Sequence, residues 1–300
     1  MTTALKTTQL SVRFGEKVAL NAIDLSISAN GVTALLGANG AGKTTLINCA
    51  LGLCKPSSGR LKIFSETPGK FEAKRLIGVM LQDSNLPDLL SAAEHIELFS
   101  TYYPDPLSLE QLSRQCGLET FIHKRYKTLS GGQKRRIQFA LAILGRPKIV
   151  FLDEPTTGLD IDARDLVWNT INQLRDSGTA VLLTTHYLEE ADALADHTIV
   201  MNEGNIIAND STENIRAAAS GAVIRCESRL DLSVIEALTD VRSAKTRGRQ
   251  IEISSDNPTA SLVALLALDP NLANLTVSKS NLEDAFIKLN NNSKLAEVAS

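Results

Sequence analysis

Val32-Thr33-Ala34-Leu35-Leu36-Gly37-Ala38-Asn39-Gly40-Ala41-Gly42-Lys43-Thr44-Thr45 opens as an apolar run and breaks into a glycine-rich turn. The run reads as a buried strand, and residues 45–53 beyond the turn read as a helix. Gly37 to Thr44 fits G-x-x-x-x-G-K-[ST], and it lies between strand and helix, as that motif's mechanism requires. Glycines at Gly37, Gly40 and Gly42 let the backbone curl without Cβ clashes. The N–H groups of Asn39, Ala41 and their neighbours can then point inward as an anion nest, and the helix start at Thr45 adds positive potential. Lys43 supplies a point charge for outer phosphates, and Thr44 offers a hydroxyl to Mg²⁺.

Outward from this turn, residues 10–14 and 23–27 alternate as strands around Gly15-Glu16. Residues 85–145 turn helical. The apolar runs 149–152 and 180–183 flank an amphipathic stretch at 163–175, a β-α-β unit and hence a parallel sheet covered on both faces. Residues 197–200 and 206–209 form a closing hairpin. After about Ser220 the order becomes β-α-β-β-α-β, the split-βαβ arrangement of ferredoxin-like domains, with apolar sets such as Val234 with Leu238 and Leu262 with Leu265 and Leu266. The chain therefore divides at sequence level into residues 1–219 and an α+β accessory domain at 220–300.

The strand at 149–152 ends in Asp153-Glu154, two carboxylates at the carboxyl edge of a sheet, where such folds bind ligands. Strand alternation would aim them differently, Asp153 at a metal shell and Glu154 at a water whose proton it accepts. Leu129-Ser130-Gly131-Gly132-Gln133 opens a further helix and makes a second anion cradle of the same physical kind. The Lys134-Arg135-Arg136 run beside it reads as a solvated helix face.

Composition bounds the rest. Of 300 residues, 43% are hydrophobic and 22% charged, which excludes a disordered or collagen-like chain. Thirty-one basic residues against thirty-four acidic ones give a net charge of −3, which speaks against a nucleic-acid partner. No apolar run approaches the roughly 18 residues of a membrane span, and no secretory signal is visible, so a cytoplasmic protein is expected. Four cysteines without a CxxC pair read as buried free thiols.

The order of the Gly37–Thr44 turn, Leu129–Gln133, Asp153-Glu154, Gly158-Leu159-Asp160 and Thr184-Thr185-His186 resembles that of ATP-binding-cassette (ABC) ATPases over residues 7–215. The resemblance implies a P-loop NTPase α/β fold of the cassette type, with a mixed core sheet, an antiparallel β subdomain and a helical subdomain. It also implies ATP and Mg²⁺ as ligands. Phe14 then matches the aromatic that stacks on adenine, and Gln82, after a strand at 77–81, matches the glutamine that reaches metal and water. A lone histidine after a strand is more often structural, but His186 matches the switch residue at the γ-phosphate, and Asp160 matches an aspartate at the dimer seam. Ser130, Gly131, Gly132 and Gln133 would complete the site of an opposing subunit, so the resemblance implies a cassette dimer, taken as a homodimer.

Within such proteins, Asn281-Leu282-Glu283-Asp284-Ala285-Phe286-Ile287 resembles the tail of cassettes serving drug-, antibiotic- or polysaccharide-type exporters. The expectation is an ATPase subunit peripheral to the inner face of the cell membrane, working on a separate permease chain. The alternatives are an importer subunit and a soluble cassette acting on ribosomes or nucleic acid. The single cassette without a long heptad insertion disfavours the latter.

Overall fold

The computed structural model describes residues 2–82, 85–218, 222–279, 282, 283, 285 and 286. They fall into two compact units, Met1–Ser211 and Thr212–Ser300.

The first unit is α/β. Its long hairpin β1 (Thr3–Phe14) and β2 (Lys17–Ser28) joins β4 (Ser58–Ile63) in an antiparallel sheet of order β2-β1-β4. The main sheet holds β3 (Gly31–Gly37), β5 (Ile77–Met80), β6 (Ile149–Asp153), β7 (Ala180–Thr184), β8 (His197–Asn202) and β9 (Asn205–Ser211). Its order is β5-β6-β7-β3-β8-β9, parallel except for β9 at the edge. Every residue of β6 and β7 is buried, as the apolar runs predict for strands covered on both faces. Each such Val, Leu or Ile contributes roughly 1.5–3 kcal/mol of burial. The parallel strands all deliver their carboxyl ends to one edge, where the glycine-rich turn after β3 and the carboxylates after β6 meet.

Helices α1 (Lys43–Leu51), α2 (Phe71–Lys74), α3 (Ala92–Ser100), α4 (Leu109–Cys116), α5 (Gly131–Ile143), α6 (Ile161–Asp176) and α7 (Leu188–Leu194) complete this unit. Three of them start with the same reciprocal cap. Ser91 with Glu94, Ser108 with Gln111 and Ser130 with Gln133 each exchange side-chain and backbone hydrogen bonds. The helix expected at 45–53 begins two residues earlier, inside the motif, and stops at Gly52, whose φ of 75° closes it in the left-handed conformation.

Gly78 lets α5 lie against β5. A Cβ there would sit 2.0 Å from the Ala142 carbonyl oxygen and 2.9 Å from Pro147. Gly78→Ala should therefore lower stability by about 1–3 kcal/mol, as overpacking does. A urea melt with an unshifted midpoint would show that the helix can move aside.

The second unit contains α8 (Thr212–Ala218), β10 (Ala222–Glu227), α9 (Leu232–Glu236), β11 (Val241–Arg247), β12 (Gln250–Ser255), α10 (Pro258–Leu268) and β13 (Ala273–Lys279). Its sheet has the order β11-β12-β10-β13 with all neighbours antiparallel, the split-βαβ order expected from the sequence. Ile224, Cys226, Ile235, Ile251, Ile253 and Leu265 form its core. Val234 and Leu266, assigned to that core from sequence, are exposed instead. Helix α9 spans five residues, too few for periodicity to fix which face is buried. The tail segment singled out as an exporter signature lies in part outside the described residues, since 281, 284 and 287 are not among them.

Candidate active site

The turn after β3 bends as its glycines require. Gly40 and Gly42 have φ of 84° and 106°, and a Cβ on Gly42 would meet the Ala19 carbonyl oxygen at 2.6 Å. Gly42 caps α1 without a side-chain acceptor, so the first N–H groups of that helix face the cavity uncapped. Lys43 folds back across the loop, its Nζ donating to the carbonyls of Gly37 (2.6 Å) and Ala38 (3.1 Å). Burial pulls the Lys43 pKa below the ordinary lysine value, while Asp153 and Glu154 act in the opposite sense and favour its charge.

Opposite the loop stand the ends of β5, β6 and β7. Asp153 closes β6 and accepts a hydrogen bond from the buried Thr184 hydroxyl through Oδ1. Glu154 follows with φ of 53°, a left-handed conformation that costs a non-glycine residue about 1–3 kcal/mol. Because β6 ends at Asp153, Glu154 lies outside the strand, and the alternation expected from sequence does not set its direction. Glu154 Oε1 contacts His186 Nε2, and its Oε2 accepts from Gln82 Nε2 at 3.3 Å and Thr157 Oγ1 at 3.4 Å. The backbone N–H of Glu154 donates to the Thr184 carbonyl.

One cavity of about 410 Å³ gathers these groups. Phe14, Asn39, Gly40, Ala41, Gly42, Lys43, Thr44, Thr45, Gln82, Asp153, Glu154 and His186 all line it, and Gly37 adjoins it through Lys43. Phe14 lines it and is exposed, available for stacking. Thr44, Gln82 and Asp153 bring a hydroxyl, an amide and a carboxylate to the same wall, an oxygen donor set suited to a small hard cation such as Mg²⁺.

Comparison with known proteins identifies the family. The ABC transporter family profile matches residues 20–157. The chain is 34% identical to a daunorubicin resistance ATP-binding protein of Streptomyces coeruleorubidus, over 73% of this chain and 72% of that one. It is 31% identical to a Nod factor export ATP-binding protein of Cupriavidus metallidurans, over 96% of this chain and 98% of the other. The chain belongs to the ABC transporter ATP-binding family. Among solved structures, an ATP-binding subunit of an ABC transporter superposes with a TM-score of 0.66 at 26% identity, over 72% of this chain and 93% of that one. A dimeric ATP-binding cassette in a post-hydrolysis state with ADP and Pi gives 0.62 at 26%, over 69% and 98%. The protein is thus an ABC ATPase, and the α/β cassette fold read from the sequence is the one observed.

Not every expected site residue shares the cavity. Ser130, Gly131, Gly132, Gln133 and Asp160 do not line it. In the cassette's helix α5, Ser130 Oγ accepts from the Gln133 N–H at 3.2 Å and Gln133 Oε1 accepts from the Ser130 N–H at 3.0 Å. Asp160 caps α6, its Oδ1 accepting from the Ala163 N–H at 2.8 Å. Gly132 lies beside the Gly158-Leu159 turn, 3.3 Å from its Cβ position to the Gly158 carbonyl oxygen, so the second cradle and the Asp160 turn are neighbours.

Four residues of the site region escaped the sequence reading. Lys17 and Ala19 line the cavity because the β1–β2 turn brings them round beside Phe14. Glu190 is buried on α7, four residues after His186, where its Oε1 accepts from Thr156 Oγ1 (2.9 Å) and Trp168 Nε1 (3.1 Å). Burial pushes its carboxyl above the usual range, and those bonds pull it back in part. Arg135 contradicts the solvated-face reading outright, being only 9% exposed. Arg136 donates to the Gly117 carbonyl at 2.8 Å and covers the Phe121 ring, and Lys134 covers Tyr126. Aromatic rings and carbonyls engage all three cations, and those of Arg135 come from segments far along the chain.

Proposed function

We propose that this chain is the nucleotide-binding subunit of an ABC exporter, hydrolysing ATP as a cassette dimer to drive a separate transmembrane permease. The single observation that carries the dimer is the division of the motifs. The phosphate loop, the carboxylates and His186 share one cavity, whereas Ser130, Gly131 and Gly132 stand outside it on the same chain. An anion cradle without a site of its own is explained if it closes over nucleotide held by a second copy. The relatives' names, daunorubicin resistance and Nod factor export, support the export direction. No helix of the described residues is long and apolar enough to cross a membrane.

In this reading Phe14 stacks on the base, and the loop N–H groups and Lys43 hold the phosphates. Glu154 orients the attacking water and takes its proton, with Gln82 and His186 fixing the two carboxylate oxygens. Mg²⁺, when bound on Thr44, Gln82 and Asp153, neutralises phosphate charge. The second unit, at Thr212–Ser300, brings none of the residues assigned to the nucleotide and is assigned to contacts with the permease or the second cassette.

The test uses two defective chains. Ser130→Arg should bind ATP normally yet fail to turn over, because bulk and charge block the second cradle. Mixed with Lys43→Ala protein, it should recover activity, since each heterodimer retains one intact composite site. No phosphate release from verified heterodimers would contradict sites shared between two chains.

A further inference from the structure

We propose that Arg135 is a positioning residue that locks the Gln82–Glu154 pair to the helix bearing the second anion cradle. This rests on the ATPase reading above.

Arg135 lies on α5, five residues beyond Ser130, and crosses to the sheet edge. Its Nη2 donates to the carbonyls of Asp153 and Glu154, the latter at 2.7 Å. Its Nη1 donates to the carbonyls of Leu81 (3.1 Å) and Gln82 (3.3 Å) and to Gln138 Oε1 (3.3 Å). One guanidinium therefore ties together four backbone carbonyls, two from each segment that presents a side chain to the attacking water.

Three physical consequences follow. A planar fork with fixed donors can satisfy two pairs of carbonyls at once, which a lysine point charge cannot. Glu154 sits in a left-handed conformation that must be held by its surroundings, and Arg135 holds its carbonyl while Thr184 holds its N–H. Thirdly, the anchor stands on the helix whose N-terminus is the second cradle. A movement of α5 on closing over a partner's nucleotide would be carried by this side chain to the carboxylate of its own site. The contacts above run to the Leu81–Gln82 and Asp153–Glu154 carbonyls and to Gln138, so the role proposed for Arg135 concerns turnover rather than the grip of the Gly37–Thr44 turn on phosphate.

The experiment measures ATP turnover with Mg²⁺ and ATP affinity without it, because Gln82 and Asp153 are assigned to the ion, on the purified full chain for wild type, Arg135→Ala, Arg135→Lys and Glu154→Gln. Arg135→Ala should lose about 100-fold in kcat, the scale of an ångström-level misplacement of a catalytic group. Its ATP Kd should change by about threefold or less, since uniform binding is untouched. Ethylguanidinium added to Arg135→Ala should restore at least about tenfold of the lost kcat by refilling the fork, and should do nothing for Glu154→Gln. Arg135→Lys should remain well below wild type although it keeps the charge. If Arg135→Ala is insoluble, Arg135→Lys decides alone, and wild-type kcat in that variant overturns the proposal. Parallel loss of kcat and affinity without chemical rescue would overturn it in favour of a general folding role. Failure of the ATPase reading looks different, with the wild type itself releasing no phosphate above background.

Discussion

Glu154→Gln should bind Mg·ATP and release phosphate about 10²–10⁴-fold more slowly than the parent chain, the span expected when a general base is removed. The carboxamide keeps the shape of the side chain. Its oxygen can still accept from Gln82 and Thr157, which reach Oε2 at 3.3 and 3.4 Å, while its N–H₂ turns toward His186. What it loses is the ability to take a proton. Binding without turnover should trap the closed state, so ATP should convert the variant from monomer to dimer in size-exclusion chromatography. Removing Mg²⁺ with a chelator should keep wild type from turning over. Turnover by Glu154→Gln at the wild-type rate would show that another group activates the water.

Lys43→Ala should fail earlier, at binding. Charge-assisted hydrogen bonds to phosphate are worth about 1.5–3 kcal/mol, which is about 10–150-fold in Kd. A second loss adds to the first. Lys43 Nζ bonds the carbonyls of Gly37 and Ala38, so the loop loses its internal tie and its preorganisation. The ammonium is buried, with burial lowering its pKa against the pull of Asp153 and Glu154, so its replacement leaves two carboxylates facing a site without their counter-charge. Isothermal calorimetry on the two chains reads the difference directly, and equal affinities would detach Lys43 from the phosphates.

The contrast between Lys43 and Arg135 shows what the chain discloses in order and what it hides. Lys43 is legible because its neighbours in sequence are its partners in space: a strand, a glycine turn and a helix start follow one another, and local physics dictates their shape. The same holds for β6 and β7, whose apolar runs announce burial on both faces. Arg135 has partners 53 and 54 residues before it and 18 and 19 after it, so no window of sequence contains its environment. Charge patterning alone favours solvent for three adjacent cations, and the fold overrides that preference. Glu190 is hidden for the same reason, since Thr156 and Trp168 reach it from other segments. The kink at Glu154 is a third kind of omission. A left-handed φ of 53° at a glutamate is held by tertiary bonds against its own preference, and propensity argues against it. Helix starts are legible locally, because Ser-x-x-Glu at Ser91 and Ser-x-x-Gln at Ser108 and Ser130 carry the reciprocal cap in the sequence itself.

In this reading the cavity between the glycine-rich turn and the β6 carboxylates hydrolyses ATP. Phosphate release from Mg·ATP by the purified full chain, followed over many turnovers beside Lys43→Ala, is the decisive measurement. Steady release by the parent chain, proportional to the square of its concentration where dimers are scarce and absent from Lys43→Ala, is the result this structure predicts. Release no faster from the parent chain than from Lys43→Ala, at ATP levels that saturate the parent, would contradict it.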